Sequence, residues 1–339
     1  MIEKKAKPSK LKYPSLSVVI PAYNSEKIIE RCITAVIEAS PMNKEIIVVD
    51  DASTDNTFKI VSRFPVKLFR LTENSGPATA RNYGFAQSTG DVVVFLDSDV
   101  IVMKDCLVAL VNALEEKCAG ATGGLPRPLR STLISDSYIV RIFGKSPIAE
   151  TGIREIGSVG GGLVAYPRKV LEELGGHDEN LRIGEDLDLN IRLSKAGYKQ
   201  FLVPMAGAYH DHQSSLSTLT RKWFQYGFWF FNVCVKHRLK RDILQILGWV
   251  FSFFLLLFML LWSRELLLVP LLILIFWLPW LLYYGKYTII FWIRTKKVKY
   301  LAMPLVHQIM ILSRTLGFLY GILKAVESKA FWRTKKSAR

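Results

Sequence analysis

Cysteine is scarce: Cys32, Cys106, Cys118 and Cys234 are the whole complement of 339 residues, and none sits in a CxxC or zinc-finger spacing. That argues against a disulfide framework or a thiolate metal site and points to reduced thiols in a cytosolic domain. No G-x-G-x-x-G or G-x-x-x-x-G-K-[ST] follows an apolar strand, which excludes the dinucleotide and P-loop readings. Acid is scarce at both ends. Residues 1–14 carry five Lys against one Glu, and residues 286–339 carry twelve Lys or Arg against one Glu. The first apolar run after the basic start is the four-residue SVVI, too short for a signal-peptide core. What precedes the long apolar segments is therefore expected in the cytosol.

The formal net charge is +16. Such a balance suits nucleic acid or an anionic membrane, and because the basic clusters flank apolar segments it favours the membrane and no nucleic-acid partner. Residues 242–262 and 266–284 are each long enough to cross ~30 Å of hydrocarbon and are separated only by Ser263, Arg264 and Glu265. They are expected to form a transmembrane hairpin across 242–285. RLKRD before it and RTKKVK after it place both ends in the cytosol. The expected localisation is a multi-pass cell-membrane protein with its catalytic domain and both termini cytosolic. The aromatic, basic stretch 221–241 is expected as an interfacial helix. In 286–339 a basic loop leads into residues 300–326, where His307, Arg314 and Gly321 recur every seven residues, and then into a basic tail. This pattern predicts an in-plane helix under the cytosolic leaflet.

Between the basic tail 1–14 and residue 220, short apolar runs alternate with helical periodicity. LSVVIPAYN, EIIVVDDAS, VKLFRL and DVVVFLDSDV read as strands; SEKIIERCITAVIEA, capped by Ser25, TDNTFKIVSRF and GPATARNYGFAQS read as helices. This alternation predicts a mainly parallel, Rossmann-like sheet with its ligand crevice at the carboxyl ends of the strands. Polar residues gather there: Tyr23 and Asn24, Asp50 and Asp51, Asp97 and Asp99. Further on, GGLVAYPRKVLEELGG (161–176) and GEDLDLNIRLSKAGY (184–198) read as two helices, followed by a strand and loop, FLVPMAGAYHDHQSS.

A core strand that runs into Asp97-Ser98-Asp99 needs a partner for the buried charge. Paired carboxylates at a strand end suit Mg2+ or Mn2+, which in turn neutralises a substrate diphosphate. Phosphate-receiver domains and haloacid-dehalogenase phosphatases place acids similarly. The receiver pattern departs in that SVVIPAYN precedes the acid pair and the later Lys strand is absent. The phosphatase pattern fits Asp97-Ser98-Asp99 locally but usually opens its domain with that strand, and it stays open as a distant reading whose signature would be an aspartyl-phosphate on Asp97. Glu185, Asp186 and Asp188 start a helix whose dipole favours negative charge, and one of them could act as a general base.

The ordered set SVVIPAYNSE, EIIVVDDASTDNT, GPATARNYG, VVFLDSDV, GGGLVAYPR and GEDLDLNIRL, over roughly residues 15–215, resembles the family 2 glycosyltransferases. The resemblance implies an inverting enzyme with the GT-A nucleotide-sugar-binding fold. It implies that Pro21, Tyr23 and Asn24 line the nucleotide pocket, that Asp51 meets the base with Asp50 nearby, and that Arg81 meets the diphosphate. It further implies Asp99 as metal ligand, Asp97 at ribose or metal with Ser98 beside it, and Asp186 as catalytic base, with Glu185, Gly161 and Gly162 on the acceptor side. A nucleoside-diphosphate sugar, a UDP-sugar foremost, is the expected donor, Mn2+ or Mg2+ the expected cofactor, and a lipid-linked or glycolipid hydroxyl the expected acceptor. Processive members carry Q-x-x-R-W where this chain has LTRKW (219–223), which speaks against processivity. Polyprenyl-phosphate sugar synthases share the early motifs, but a phosphate acceptor is already ionised and hardly needs Asp186. A third reading is a nucleotide-sugar-binding membrane scaffold without turnover.

Overall fold

The computed structural model describes residues 15–40, 43–143, 152–211, 215–239 and 296–337, with isolated positions between 285 and 293. The tail 1–14 and the expected hairpin helices, 242–262 and 266–284, lie outside the described residues. The chain divides into two units: Met1–Leu129 with Glu150–Asp211, and Arg130–Ala149 with His212–Arg339.

The first unit is an α/β layer structure on one nine-stranded sheet. Its leading half alternates as expected: β1 (Leu16–Ala22), α1 (Ile29–Glu38), β2 (Lys44–Asp50), α2 (Thr57–Val61), β3 (Lys67–Arg70), α3 (Pro77–Ala86) and β4 (Val92–Leu96). β1 pairs in parallel with β2 and with β4, and β2 with β3. β4 is apolar along its whole length, and β1 is apolar but for Ser17, because both faces are covered. Val18, Ile20, Val94 and Leu96 point into one core, and Val19, Val93 and Phe95 into the other. Each such fully buried aliphatic side chain contributes roughly 1.5–3 kcal/mol.

The trailing half mixes directions. After β5 (Val100–Val102) and α4 (Cys106–Glu116) come β6 (Ala121–Pro128), then, past a helix of the second unit, β7 (Arg154–Ile156), β8 (Leu163–Pro167), α6 (Arg168–Leu174), α7 (Glu185–Lys195) and β9 (Gln200–His210). The order across the sheet is β3-β2-β1-β4-β8-β6-β9-β5, with β7 on β9. Residues 161–176 are thus not one helix. LVAYP is a buried strand antiparallel to β4, and the helix begins only at Arg168. Ser25 is not the cap of α1 either. Its carbonyl closes a turn by accepting from Ile28 and Ile29, while its hydroxyl meets Ser98.

This topology assembles the crevice. Parallel pairing puts the ends of β1, β2 and β4 on one edge. Antiparallel β8 then brings Gly161 and Gly162, at its start, beside the end of β4, where Leu163 pairs with Leu96. β9 pairs antiparallel with β5 and sets its last residue, His210, opposite Val100.

The second unit holds α5 (Leu133–Phe143), α8 (Leu216–His237), a 3-10 turn (Val298–Ala302) and the long helix α9 (Met303–Ser337). Ser215 caps α8 by accepting from the Thr218 amide. Gly227 of α8 and Gly317 of α9 let the two backbones touch: a Cβ at either would lie 1.9 Å from a carbonyl oxygen of the other helix. Leu219 and Trp223, within the LTRKW stretch, are buried against Val306 and Met310. The heptad stripe of α9 is its packed face. His307 Nε2 lies 2.8 Å from the Ser137 carbonyl, Arg314 stacks over the Phe230 ring at 4.3 Å, and Gly321 abuts Phe231. The outward face instead carries Leu305, Leu312, Leu316, Leu323 and Val326, all exposed.

Candidate active site

Asp97 and Asp99 leave the end of β4 in a turn held by the Asp97 amide on the Gly162 carbonyl and the Val100 amide on the Asp97 carbonyl. The Asp99 carbonyl accepts from the Asp211 amide, which fixes the end of β9 against the same turn. His210 Nε2 therefore lies 3.0 Å from Asp99 Oδ1. Asp97, Asp99 and His210 each offer a ligand atom within 4.8 Å of the others, and all three are part-exposed. Two carboxylates and an imidazole form a donor set that could hold a divalent cation. Sequence reasoning picked out the two aspartates and missed His210. The polar run AYHDH after an apolar strand was the available signal.

Asp186 sits in the first turn of α7. Its Oδ2 accepts from the Gly161 amide at 3.0 Å and its Oδ1 from the Leu187 amide at 2.7 Å. Gly161 and Gly162 run between the two acidic groups. A Cβ on Gly161 would meet Asp186 at 2.8 Å, and one on Gly162 would meet Asp97 Oδ2 at 2.9 Å. Only a strip without side chains brings Asp186 and Asp97 to either side of one crevice.

Glu185 stands before Asp186 in the same turn of α7. It is buried and paired with Arg81, and burial outweighs that cation to lift its carboxyl to about 7. Arg81 is itself buried between Glu185 and Asp97. Burial opposes its charge, but the two carboxylates raise its affinity for the proton further. Asp188 is fully buried and bound to Arg192 at 2.8 Å, a tie within α7.

The nucleotide-side residues divide. Tyr23 and Asn24 are exposed, with part-buried Pro21 beside them. Asn24 has φ 49°, and its side-chain oxygen accepts from the Thr54 amide at 2.8 Å. Ser98 joins this loop through Ser25 at 2.7 Å. Asp51 is 3 % exposed and holds the loop before α3, accepting from the amides of Ser75 at 2.8 Å and Gly76 at 2.9 Å and from Asn74 Nδ2 at 3.1 Å. Asp50, expected near the donor, is fully buried and faces Arg70 Nε at 3.2 Å. It supports the crevice from beneath and has no surface to offer a ligand. Cys32 lies below the same turn, its thiol pushed up by burial and by Asp99 and Asp97.

The mixed α/β sheet is shared with a solved glycosyltransferase of the GT-A fold. The mannosyltransferase PcManGT of Pyrobaculum calidifontis, solved with GDP-Man and Mn2+, shares the fold at TM-score 0.58 and 20 % identity, over 90 % of this chain and 87 % of that one. Residues 17–175, just under half of the chain, match the family described as Glycosyl transferase family 2. A glycosyltransferase of Haemophilus influenzae is 38 % identical over 29 % of this chain and 42 % of its own length. The pre-mycofactocin glycosyltransferase of Mycobacterium tuberculosis is 28 % identical over 71 % of this chain and 52 % of its own. The chain thus spans about half the length of these curated relatives.

Proposed function

We propose that the protein is a metal-dependent, inverting glycosyltransferase that moves one sugar from a nucleoside-diphosphate sugar, a UDP-sugar foremost, to a hydroxyl of a membrane-associated, lipid-linked acceptor. The observation that carries this reading is the placing of Asp97, Asp99 and His210 on one side of the Gly161–Gly162 strip and Asp186 on the other. Asp97, Asp99 and His210 would hold Mn2+ or Mg2+, which when bound offsets the charge of the leaving diphosphate. Tyr23 and Asn24 offer an exposed face to the nucleoside.

Asp186 takes the proton of the acceptor hydroxyl as its oxygen bonds to the anomeric carbon, and the bond from that carbon to the diphosphate breaks with its electron pair. Two backbone amides orient the Asp186 carboxylate for this task. A single displacement inverts the anomeric centre. A phosphate acceptor would leave Asp186 without work, which sets the polyprenyl-phosphate synthase reading second and the inactive scaffold third.

The membrane part of the reading rests on α9. Residues Val298–Glu327 form one helix region long and apolar enough to cross a membrane. Its outward leucine face has Lys296, Lys297 and Lys299 before it and Lys324 after it, as an anionic bilayer surface favours. The test is release of nucleoside diphosphate from a panel of donors by the purified full-length chain, with and without Mn2+ and with membrane lipids as acceptors. Mn2+-dependent transfer to lipid supports the proposal, and absence of turnover with every donor supports the scaffold reading.

A further inference from the structure

Arg81 is 4 % exposed, and its two terminal nitrogens reach different carboxylates. NH2 donates to Asp97 Oδ1 at 2.7 Å and NH1 to Glu185 Oε1 at 2.5 Å. The third nitrogen, Nε, is buried with no hydrogen-bond partner among the described residues. The three residues come from separate parts of the first unit: α3, the turn after β4, and the first turn of α7. A planar guanidinium suits this bridge because its two ends project in fixed, divergent directions, which a single ammonium cannot imitate.

The arrangement conflicts with a role at the diphosphate. With Arg81 only 4 % exposed and both terminal nitrogens engaged by carboxylates, little of the guanidinium is open to an incoming phosphate. What the bridge does instead is set the Asp97 carboxylate. Oδ1 is held by Arg81, while Oδ2 faces the gap that Gly162 keeps open, where a Cβ would lie 2.9 Å away. The same guanidinium ties down Glu185, the residue before Asp186. Resting on the site reading above, we propose that Arg81 is a positioning residue: it orients Asp97 toward the cation and locks the start of α7 in register with it, and it does not bind the donor phosphates.

The test uses the full-length protein in detergent and calorimetric titration with Mn2+, UDP and uridine. Arg81→Lys keeps the charge but reaches only one carboxylate. It is expected to weaken Mn2+ binding about 10-fold or more, the range typical of groups that orient a metal ligand. UDP affinity is expected to return to the wild-type value at saturating Mn2+, with uridine binding unchanged. Glu185→Gln, the milder variant, should shift Mn2+ affinity in the same direction and serves if Arg81→Lys does not fold. Two results overturn the proposal: UDP affinity that stays low at saturating Mn2+ while uridine binding is intact, or wild-type Mn2+ affinity in both variants. Wild-type protein that binds UDP with no response to Mn2+ would overturn the site reading itself, and this proposal with it.

Discussion

His210 Nε2 lies 3.0 Å from Asp99 Oδ1, joining the last residue of one strand to a turn that follows another. Only the antiparallel pairing of β5 with β9, and the Asp211 amide on the Asp99 carbonyl, put the imidazole there. If the pair holds a cation, His210→Ala should lower Mn2+ affinity by about 10-fold or more while leaving the unfolding midpoint within about 2 °C, since the ring is part-exposed. Calorimetry and thermal denaturation on one preparation check both.

Asp186→Asn keeps the shape and the acceptor for the Gly161 amide but removes the base. The expected loss in kcat is about 10²–10⁴-fold, with the donor KM within about 3-fold of wild type. A kcat near the wild-type value would remove Asp186 from the chemistry.

Gly162→Ala puts a methyl 2.9 Å from Asp97 Oδ2, and Gly161→Ala puts one 2.8 Å from Asp186 Cβ. The two should fail differently. The first is expected to weaken Mn2+ binding, the second to lower kcat at saturating Mn2+ and donor. Steady-state kinetics at varied Mn2+ separate them.

His177 is 5 % exposed, sits edge-on to Phe95 at 4.9 Å, and is held well below its ordinary pKa by burial, with Arg81 and Arg192 adding to the effect. Its folded-state pKa is depressed, so the unfolded chain takes up the proton first. The stability this gives the neutral form is present above about pH 6.5 and is lost as the pH falls below it. His177→Phe keeps the edge contact without a titrating group. The unfolding temperature of wild type relative to His177→Phe should fall between pH 7.5 and pH 5, and equal pH slopes would contradict the assignment.

Leu305 and Leu316 lie on the outward face of α9 and are 60 % and 50 % exposed. Replacing both by Glu removes apolar surface and adds charge repelled by anionic lipid, so vesicle binding should drop while the contact of α8 with α9 is untouched. Co-sedimentation with vesicles containing phosphatidylserine, on the full chain and the variant, reads this directly. Undiminished binding would place the membrane attachment elsewhere in the chain.

Val92–Leu96 announced itself as a doubly covered strand because five consecutive apolar residues in a short segment fit little else, and Asp97 and Asp99 followed from it. Leu163–Pro167 did not. Its five residues are equally buried, but they run without a break into the helical RKVLEEL, and the joint is marked only by Pro167. His210 escaped notice because its value depends on strand register, a long-range pairing that local pattern does not encode. The heptad stripe of α9 was visible in the sequence, but its partners were not: the Ser137 carbonyl meets His307 and the Phe230 ring meets Arg314, contacts between segments far apart in the chain. Arg81 and Asp50 were legible as notable charges, but their partners were not: Arg81 is buried between Asp97 and Glu185, and Asp50 is buried against Arg70.

Metal-dependent transfer is read most simply from release of UDP from UDP-sugars by the purified full-length protein, measured in EDTA and then after adding Mn2+, beside Asp99→Asn. Release is expected to need Mn2+ and to fall at least about 100-fold in Asp99→Asn. Turnover of the same rate in EDTA, or in Asp99→Asn, would contradict it.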